Sequence, residues 1–483
     1  MNVIQPDLPA LEAQLRRDLE ILQYPPPDWV IPHQTPDGQR MLDVVVIGGG
    51  MCGLAATFAL KRLGVANIRI LDASEAGKEG PWVTYARMET LRSPKYLAGP
   101  ALGMARLTFR SWYEAKFGVR AWERMDKIPR QTWMDYLRWY RDVLNLPVQN
   151  RTSVKEICPA AHGLDLYALV GGSLETIATR RVILATGREG MACPRVPNAL
   201  RPYVGPRFNH SSEEIEFSKM KDCRVAVIGF SASAVDNAAE ALKAGASEVH
   251  MLVRASKVPR VNKMKSTGYP GFTHGFPMLP PETRLDLLSY VFRCRIAPPR
   301  DSTQRVFKHS NARLHLSSEV INVREESGAF VLQTGASDIV VDHVVYCTGF
   351  MIDTNAPDET QKFARHIRTF RDSIDNGDGR FLEEFLDFPD LGPAFELRER
   401  IRGEAPFLER LHNFTFAATV SHGNVSGDIP CISDGAERLA RGIAACLFNE
   451  DFPAHLAHLR AHVDPELLGD EIPGNTSWKP PLV

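Results

Sequence analysis

Residues 43–72, DVVVIGGGMCGLAATFALKRLGVANIRILD, decide the fold of this chain. The β-branched run from Val44 to Ile47 predicts a strand buried on both faces, and G-x-G-x-x-G follows it directly. A helical segment, a closing glycine and a second strand then lead to Asp72. Strand, glycine turn, helix, strand and acid in this order are the pattern of a dinucleotide-binding βαβ unit.

The three motif glycines of this turn have separate physical roles. Gly48 permits the tight turn, Gly50 lets a pyrophosphate approach the backbone, and Gly53 lets the helix pack closely on the strand. The start of the helix presents free N–H groups and the positive end of its dipole to the phosphates. Asp72 stands where a carboxylate accepts hydrogen bonds from an adenosine ribose. We therefore expect these four residues to bind a dinucleotide.

The same unit recurs at residues 224–254, RVAVIGFSASAVDNAAEALKAGASEVHMLVR. It aligns on the first unit without a gap, so that Gly229 matches Gly48, and the repeat predicts two nucleotide sites. Arg254 follows the position that matches the first unit's acid. A guanidinium there can bind a ribose 2′-phosphate, which favours NADPH over NADH. Ser231 replaces the middle glycine, and its side chain can crowd a pyrophosphate, so a weakened second site is the alternative.

A basic segment follows the second unit, and Lys257 is its second candidate for the same phosphate. The alternative for such a segment is an ordinary solvated face.

Composition restricts the class of protein. The chain has 483 residues, of which 44% are hydrophobic and 24% charged, as in a soluble globular protein of two or three domains. A net charge of −1 gives no support to nucleic-acid binding. The N-terminal residues lack the features of a signal peptide, and the uncharged run 44–60 fits a buried βα unit rather than a membrane span. Eight scattered cysteines without a C-x-x-C pair fit reduced thiols, so we expect a cytoplasmic protein.

Two similar strands bracket the second unit and predict the domain order. One ends in Ala185-Thr186-Gly187 and the other in Cys347-Thr348-Gly349. Small residues at both points would let two crossover segments pass close to a bound nucleotide. The fold class expected is α/β, with two Rossmann-like domains and the second inserted into the first. The expected boundaries are an N-terminal helical extension at 1–40, the first nucleotide domain at 41–195 and 350–483 with C-terminal helices, and the second at 196–349.

Three further segments carry expectations. Residues 7–24 predict a helix capped by Asp7, which either packs on the body or makes a homo-oligomer contact. Residues 414–420 predict a strand, and a helix is expected from about residue 434. Asp428, shortly before that helix, is either a ribityl contact or a cap. Three C-terminal histidines share a helix face without a carboxylate or thiolate beside them, so no metal site is expected.

With these motifs the chain resembles the two-dinucleotide flavoprotein monooxygenases, which comprise flavin-containing, N-hydroxylating and Baeyer–Villiger enzymes. The resemblance covers about residues 41–450. It implies that the first glycine motif binds FAD and the second, G-x-G-x-S-[GA], binds NADPH; Gly229 and Ser233 match, while Ser231 departs. Residues 79–82, Glu-Gly-Pro-Trp, are similar to the family's flavin-side loop, so Trp82 is expected beside the flavin, with a buried core tryptophan as the alternative.

The resemblance also implies a reaction. NADPH would reduce FAD, and the reduced flavin would trap O₂ as a C4a-(hydro)peroxide that passes one oxygen atom to a small organic substrate. The segment ending in His210 is similar to the family's F-x-G-x-x-x-H but one residue longer, which favours N- or S-oxygenation over Baeyer–Villiger chemistry. Arg92, Lys95 and His210 are the candidates to steady a peroxyflavin anion, and ordinary salt bridging is the alternative.

The residues expected to contact FAD and NADPH are Gly48, Gly50, Gly53, Asp72, Trp82, Thr186, Gly187, Gly229, Ser231, Ser233, Arg254, Lys257, Thr348 and Asp428. Two other classes share the two-nucleotide architecture. A pyridine-nucleotide disulfide reductase would need the close cysteine pair that the sequence lacks. A flavoprotein oxidase or reductase, or an FAD-binding protein with a weakened NADPH site, would follow if Ser231 blocks the second nucleotide.

Overall fold

The computed structural model of the chain describes residues 7–468 and 471. The strands are β1 Leu42–Ile47, β2 Ile68–Leu71, β3 Val148–Gln149, β4 Thr152–Ala160, β5 Gly163–Val170, β6 Ser173–Leu184, β7 Ala192–Pro194, β8 Phe208–His210, β9 Arg224–Ile228, β10 Glu248–Leu252, β11 Ala312–His315, β12 Val320–Glu326, β13 Ala329–Thr334, β14 Asp338–Val341, β15 His343–Tyr346, β16 Phe350–Ile352 and β17 Leu411–Asn413.

The α-helices are α1 Leu8–Ile21, α2 Met51–Arg62, α3 Phe109–Phe117, α4 Val119–Arg124, α5 Arg130–Val143, α6 Ala232–Lys243, α7 Pro270–Gly275, α8 Pro281–Arg293, α9 Arg300–Phe307, α10 Glu383–Leu386, α11 Thr419–His422, α12 Ile432–Glu450 and α13 Phe452–Ala461. Among the described residues, no helix is both long and apolar enough to cross a bilayer.

The first sheet is built around β1. Its order is β3-β2-β1-β6-β5-β4, with β17 also paired to β6. β1 is parallel to β2 and β6, whereas β4, β5 and β6 form an antiparallel meander. Strand β1 is buried on both faces, and α2 is buried from residue 51 to residue 60, because α12 packs on its outer side. The uncharged run noted in the sequence is therefore the centre of a core.

The second sheet is wholly parallel, in the order β11-β10-β9-β15-β8. Helix α6 covers one face through an apolar cluster, and the antiparallel meander β12-β13-β14 covers the other. All its strands come from residues 208–346, whereas the first sheet takes strands from both sides of this range. The expected fold class, two Rossmann-like units with the second inserted into the first, is confirmed.

The two crossings between the sheets run side by side. The chain leaves the first domain through strand β7 and returns to it through β16. These two strands pair antiparallel with each other, with Met351 opposite Cys193. This pairing ties the outgoing and returning segments together at one point, so both nucleotide motifs open near the same junction.

The N-terminal helix is confirmed, and one predicted strand is wrong. Asp7 caps α1 by accepting a hydrogen bond from Ala10 N at 2.9 Å. Residues 414–420 are instead a 3₁₀ turn followed by α11. The Thr415 hydroxyl accepts from Ala417 N at 3.2 Å and caps that turn, so only the preceding β17 joins the sheet.

Candidate active site

A large cleft, about 1430 Å³ in volume, lies where the two sheets meet. Both glycine turns line it, as do the segments that follow β6 and β15. These are the carboxyl ends of parallel strands, where ligands of open α/β sheets bind. The glycine turns of both sequence repeats therefore line the same cleft.

The first turn shows why glycines occupy it. Gly48 has a φ of +106°, and its N–H donates to Leu71 O at 2.8 Å. A Cβ on Gly53 would lie 1.9 Å from Gly48 O, so only glycine lets α2 approach the turn this closely. The first N–H groups of α2 have no intrahelical partner, as in any helix. Gly50, at the N-cap, has no side chain to bond them, so they stay available to a ligand. This is a cradle that fits a pyrophosphate.

Asp72 lines the cleft and also braces the turn. One carboxylate oxygen accepts from Gly49 N at 2.7 Å and the other from Ser74 N at 2.8 Å. The side chain thus fixes the peptide next to the pyrophosphate cradle, beside the place where a ribose would lie.

The second turn repeats two backbone hydrogen bonds of the first. Gly229 has a φ of +117°, and its N–H donates to Leu252 O at 2.9 Å, as Gly48 does to Leu71. The peptide that follows each crossing strand also repeats: Ala185 N donates to Ile47 O at 2.8 Å in the first unit. Its counterpart in the second unit is the bond from Cys347 N to Ile228 O at 2.9 Å.

The two crossing segments therefore lie against the two glycine turns. Thr186 and Gly187 line the cleft beside the first turn, and Thr348 beside the second. The Thr348 hydroxyl donates to Arg195 O, which joins the returning segment to the outgoing one.

Ser231 occupies the N-cap of α6, where Gly50 stands in α2. Its φ of −90° is close to the −72° of Gly50, a conformation that any residue adopts. Its side chain is exposed in the cleft and makes no capping hydrogen bond. The serine therefore imposes no strain on the turn, and its hydroxyl is free to face a ligand. Ser233, two residues further on, also lines the cleft.

The two basic candidates for a 2′-phosphate separate in space. Arg254 lines the cleft at the end of β10 and is exposed there. Lys257 is exposed but lies outside the cleft lining. The geometry brings only Arg254 to the second nucleotide turn.

Trp82 and Asp428 both face the cleft from the first domain. The Trp82 ring packs edge-on against Trp133, with 6.2 Å between centroids, and its carbonyl accepts from Arg130. Asp428 accepts a hydrogen bond from the Asn424 amide. It makes no capping bond to the short 3₁₀ helix that follows it, so it is available to a ligand.

Arg92 is the candidate cation that the structure does bring into the cleft. About half of its side chain, 47%, is exposed, and its guanidinium lies 3.8 Å from the Asp236 carboxylate on α6. Asp236 is only 2% exposed and also lies 3.6 Å from Arg305, which pairs with Glu240 at 2.5 Å. Burial lowers the pKa of Arg92 and raises that of Asp236, and each charge partly opposes the effect on the other. This network joins the two domains across the cleft.

Lys95 is not a cleft residue, which corrects the sequence expectation. Its side chain is 8% exposed, and its ammonium donates to Trp122 O at 2.9 Å and to Met125 O. It also lies over the Trp122 ring at 4.7 Å. These contacts hold a loop of the first domain and leave no donor directed at the cleft.

The expectation that His210 supplies a cation to the cleft is also wrong. It is fully buried in β8, where its ring contacts Ser212 Oγ at 2.8 Å and Gly349 O at 3.1 Å. Burial lowers its pKa, so the ring is neutral and supplies no cation. Its contact with Gly349 instead holds the returning segment in place.

Sequence reasoning missed several residues that line the cleft, among them Tyr85, Arg188 and Phe416. Arg188 follows directly on Gly187, so its position beside the A-T-G segment was the available signal. The Phe416 ring lies below the Arg188 guanidinium, 5.0 Å away. This contact joins segments more than two hundred residues apart, and no local pattern indicates it.

Comparison with known proteins shows which proteins share this architecture. The sequence model of the pyridine nucleotide-disulphide oxidoreductase family matches residues 45–268. Among solved structures, ornithine hydroxylase from Pseudomonas aeruginosa superposes with a TM-score of 0.65 at 16% identity, covering 83% of this chain and 98% of its own. The cadaverine monooxygenase from Erwinia amylovora gives 0.64 at 16% identity, covering 84% and 95%. These similarities show the fold that flavin-dependent monooxygenases with two dinucleotide domains share.

A sequence relative then shows the family. The FAD-dependent urate hydroxylase of Xanthomonas campestris pv. campestris is 35% identical over 464 residues, which cover 96% of this chain and 98% of the relative. The chain therefore belongs to this family of flavin-dependent monooxygenases and is an oxidoreductase. The family resemblance inferred from the motifs is confirmed.

The disulfide reductase alternative has no cysteine pair to support it. All eight cysteines lie in the described part of the chain and are free. Burial raises the pKa of Cys52, in the first turn, to about 12, so its thiol is protonated.

Proposed function

We propose that the protein is an FAD-dependent, NADPH-using monooxygenase that hydroxylates a small, flat organic substrate, with urate as the first compound to test. The observation that carries this proposal is the presence of two matching glycine turns on one cleft. The sequence relative's activity on urate supports the choice of substrate. NADPH supplies two electrons; one atom of O₂ enters the substrate and the other leaves as water.

The first turn fits FAD. Gly48, Gly50 and the start of α2 would hold the pyrophosphate, and Asp72 the adenosine ribose. Trp82 and the Thr186-Gly187 segment would border the isoalloxazine ring, and Asp428 would accept from the ribityl chain. Bound FAD supplies the redox chemistry and the activation of O₂.

The second turn fits NADPH. Gly229, Ser231 and Ser233 surround the start of α6, whose N–H groups would hold the pyrophosphate. Arg254 would bind the 2′-phosphate, and its five N–H donors give a bidentate geometry that NADH cannot use. Thr348 and the returning segment would keep the nicotinamide near the flavin.

Arg92 would stabilise negative charge that develops in the cleft during the reaction. A guanidinium that a buried carboxylate holds in place stabilises negative charge without reorganising during the reaction. Asp236 has this orienting role because it contacts Arg92 from the opposite domain.

Oxygenation at nitrogen or sulfur is the second candidate. Asp428 and Glu189 both line the cleft and could hold a protonated amine. An oxidase or an FAD-binding protein with a weak NADPH site is a third reading, which rests on Ser231. The relaxed backbone at Ser231 leaves crowding by the serine side chain as the sole basis of this reading.

Anaerobic stopped-flow absorbance of the FAD-loaded protein tests the proposal. We expect NADPH to bleach the flavin much faster than NADH does. After oxygen is admitted, urate should be consumed in proportion to NADPH with little H₂O₂. Equal, slow reduction by both nucleotides, or complete loss of electrons to H₂O₂ with every substrate offered, would refute a monooxygenase. Ser231→Gly serves as the control for crowding, because a large gain in NADPH affinity would restore the weakened-site alternative.

A further inference from the structure

Several arginines line the cleft, and Arg188 is one whose position neither glycine turn explains. Arg188 lies exposed in the cleft and forms no ion pair with any residue that the structure describes. Its five N–H donors therefore have no carboxylate partner. The pyrophosphates fit the two helix starts and the 2′-phosphate fits Arg254, so Arg188 remains available for another ligand.

The Phe416 ring holds the Arg188 guanidinium in place. Phe416 N donates to Gly187 O at 3.2 Å, which ties the phenylalanine to the residue before Arg188. The guanidinium carbon then lies 5.0 Å from the Phe416 ring centroid, and Phe388 supports that ring edge-on at 5.8 Å. A cation–π contact of this kind orients the guanidinium and reduces the entropy that binding would cost.

Arg188 adds a second positive charge beside Arg92, which Asp236 already pairs with. Arg92 faces the same part of the cleft, and the charge of Arg188 is close enough to lower the pKa of Arg92 further. The Tyr85 hydroxyl is also nearby; burial raises its pKa to about 12, so it stays a neutral donor. The adjacent carboxyl of Glu189 also lines the cleft; burial raises its pKa, and a hydrogen bond with Ser212 partly opposes this rise. An anion placed here would relieve the repulsion between the two guanidinium groups.

We propose that Arg188, held over Phe416, is the specificity-determining residue that binds the substrate, and that this substrate is a flat anion. The inference rests on the proposed monooxygenase function and adds the chemical class of its substrate. A planar guanidinium pairs with a planar oxyanion through two parallel hydrogen bonds, which a neutral ring of the same shape cannot match.

The test compares Arg188→Gln and Arg188→Lys with a matched control, Arg195→Gln. Arg195 lines the same cleft but is paired with Glu384, so its loss changes the charge of the cleft without removing a free guanidinium. For Arg188→Gln we expect the KM for urate to rise roughly 10- to 100-fold, because a charge-assisted pair is lost. The KM for NADPH should stay within about twofold, since the phosphate sites are elsewhere. The KM for urate of Arg188→Lys should lie between those of the wild type and Arg188→Gln. The KM of Arg195→Gln should resemble that of the wild type.

Binding to the FAD-loaded protein, measured by titration calorimetry, separates this inference from the proposed reaction. Urate should bind the wild type and lose affinity in Arg188→Gln, whereas caffeine, an uncharged flat purine, should bind weakly to both. If urate binds in this Arg188-dependent way but is not oxygenated, the proposed function fails and the inference stands. If urate is oxygenated with the same KM by both proteins, or if the KM for NADPH rises instead, the inference is overturned. FAD content and thermal midpoint confirm that each variant is folded.

Discussion

At the scale of single residues, two glycines of the first turn have different reasons to be glycine, and alanine substitutions separate them. A Cβ on Gly53 would lie 1.9 Å from Gly48 O, so Gly53→Ala must move α2 and should destabilise the protein by about 1–3 kcal/mol even without FAD. A Cβ on Gly50 would meet nothing closer than Gly80 Cα at 3.7 Å. Gly50→Ala should therefore fold normally but lose FAD affinity.

Thermal unfolding of both apoproteins and titration with FAD check this pair. A normal apoprotein midpoint for Gly53→Ala would show that the helix has room to move. Unchanged FAD affinity for Gly50→Ala would show that the pyrophosphate does not approach this residue.

The same scale shows what a sequence can predict. The glycines and Asp72 were predictable because their roles depend on local backbone geometry at fixed spacing. Lys95 and His210 were not, because their partners are carbonyls of Trp122, Met125 and Gly349, which only the tertiary fold brings near. A charged residue close to a motif in sequence can thus be buried behind it.

At the scale of elements, the end of β10 should determine nucleotide choice. Arg254 lines the cleft there and Lys257, three residues later, does not. We expect Arg254→Ala to raise the KM for NADPH roughly 10- to 100-fold while that for NADH changes little, because only NADPH carries the 2′-phosphate. Lys257→Ala, which removes the same charge, is the matched control and should leave both values nearly unchanged.

Steady-state oxidation of the two nucleotides measures this preference. An equal effect of the two substitutions would mean that general positive charge, rather than a specific contact, selects the nucleotide. A loss of NADH activity with Arg254→Ala would place the guanidinium on the pyrophosphate instead.

The elements that follow a repeated sequence pattern were predicted correctly. The helical turn at 414–420, which depends on a side-chain cap, was not. The gapless repeat predicted a second βαβ unit, and the equivalent backbone hydrogen bonds of Gly48 and Gly229 confirm that the two units match. The apolar run at 414–420 has the composition of a strand, but the Thr415 hydroxyl caps a helical turn there. The 3₁₀ turn places Phe416 under Arg188, so this error also concealed part of the site.

At the scale of the whole molecule, the insertion of one domain into the other followed from two bracketing strands, but the contacts that join the domains did not. Arg92 and Asp236 lie 144 positions apart in the sequence and meet only because both sheets open on one cleft. Buried charges of this kind are costly unless paired. The pairing therefore favours the arrangement in which the two nucleotide turns face each other.

Two histidines buried in neutral form contribute stability to the whole molecule that should be lost in mild acid. His412 and His422 both contact carbonyls of the 392–394 segment, at 2.8 Å to Ala394 O and 3.0 Å to Gly392 O. Burial lowers the pKa of each from 6.5 to about 3. Between these values the unfolded chain binds more protons than the folded one. The stabilisation is therefore fully present above about pH 6.5 and is lost progressively as the pH falls towards 3.

The loss at about pH 5 should be roughly 2 kcal/mol for each histidine. Urea unfolding of the wild type at about pH 7 and pH 5 measures the combined slope. His422→Gln keeps an N–H donor for Gly392 O but cannot titrate, so its stability should depend less on pH even if its stability at pH 7 is lower. The informative quantity is the difference between the two pH values within each protein. An identical difference in wild type and variant would mean that His422 becomes protonated in the folded state, which would require water or a carboxylate to reach a ring that now stacks on Phe395.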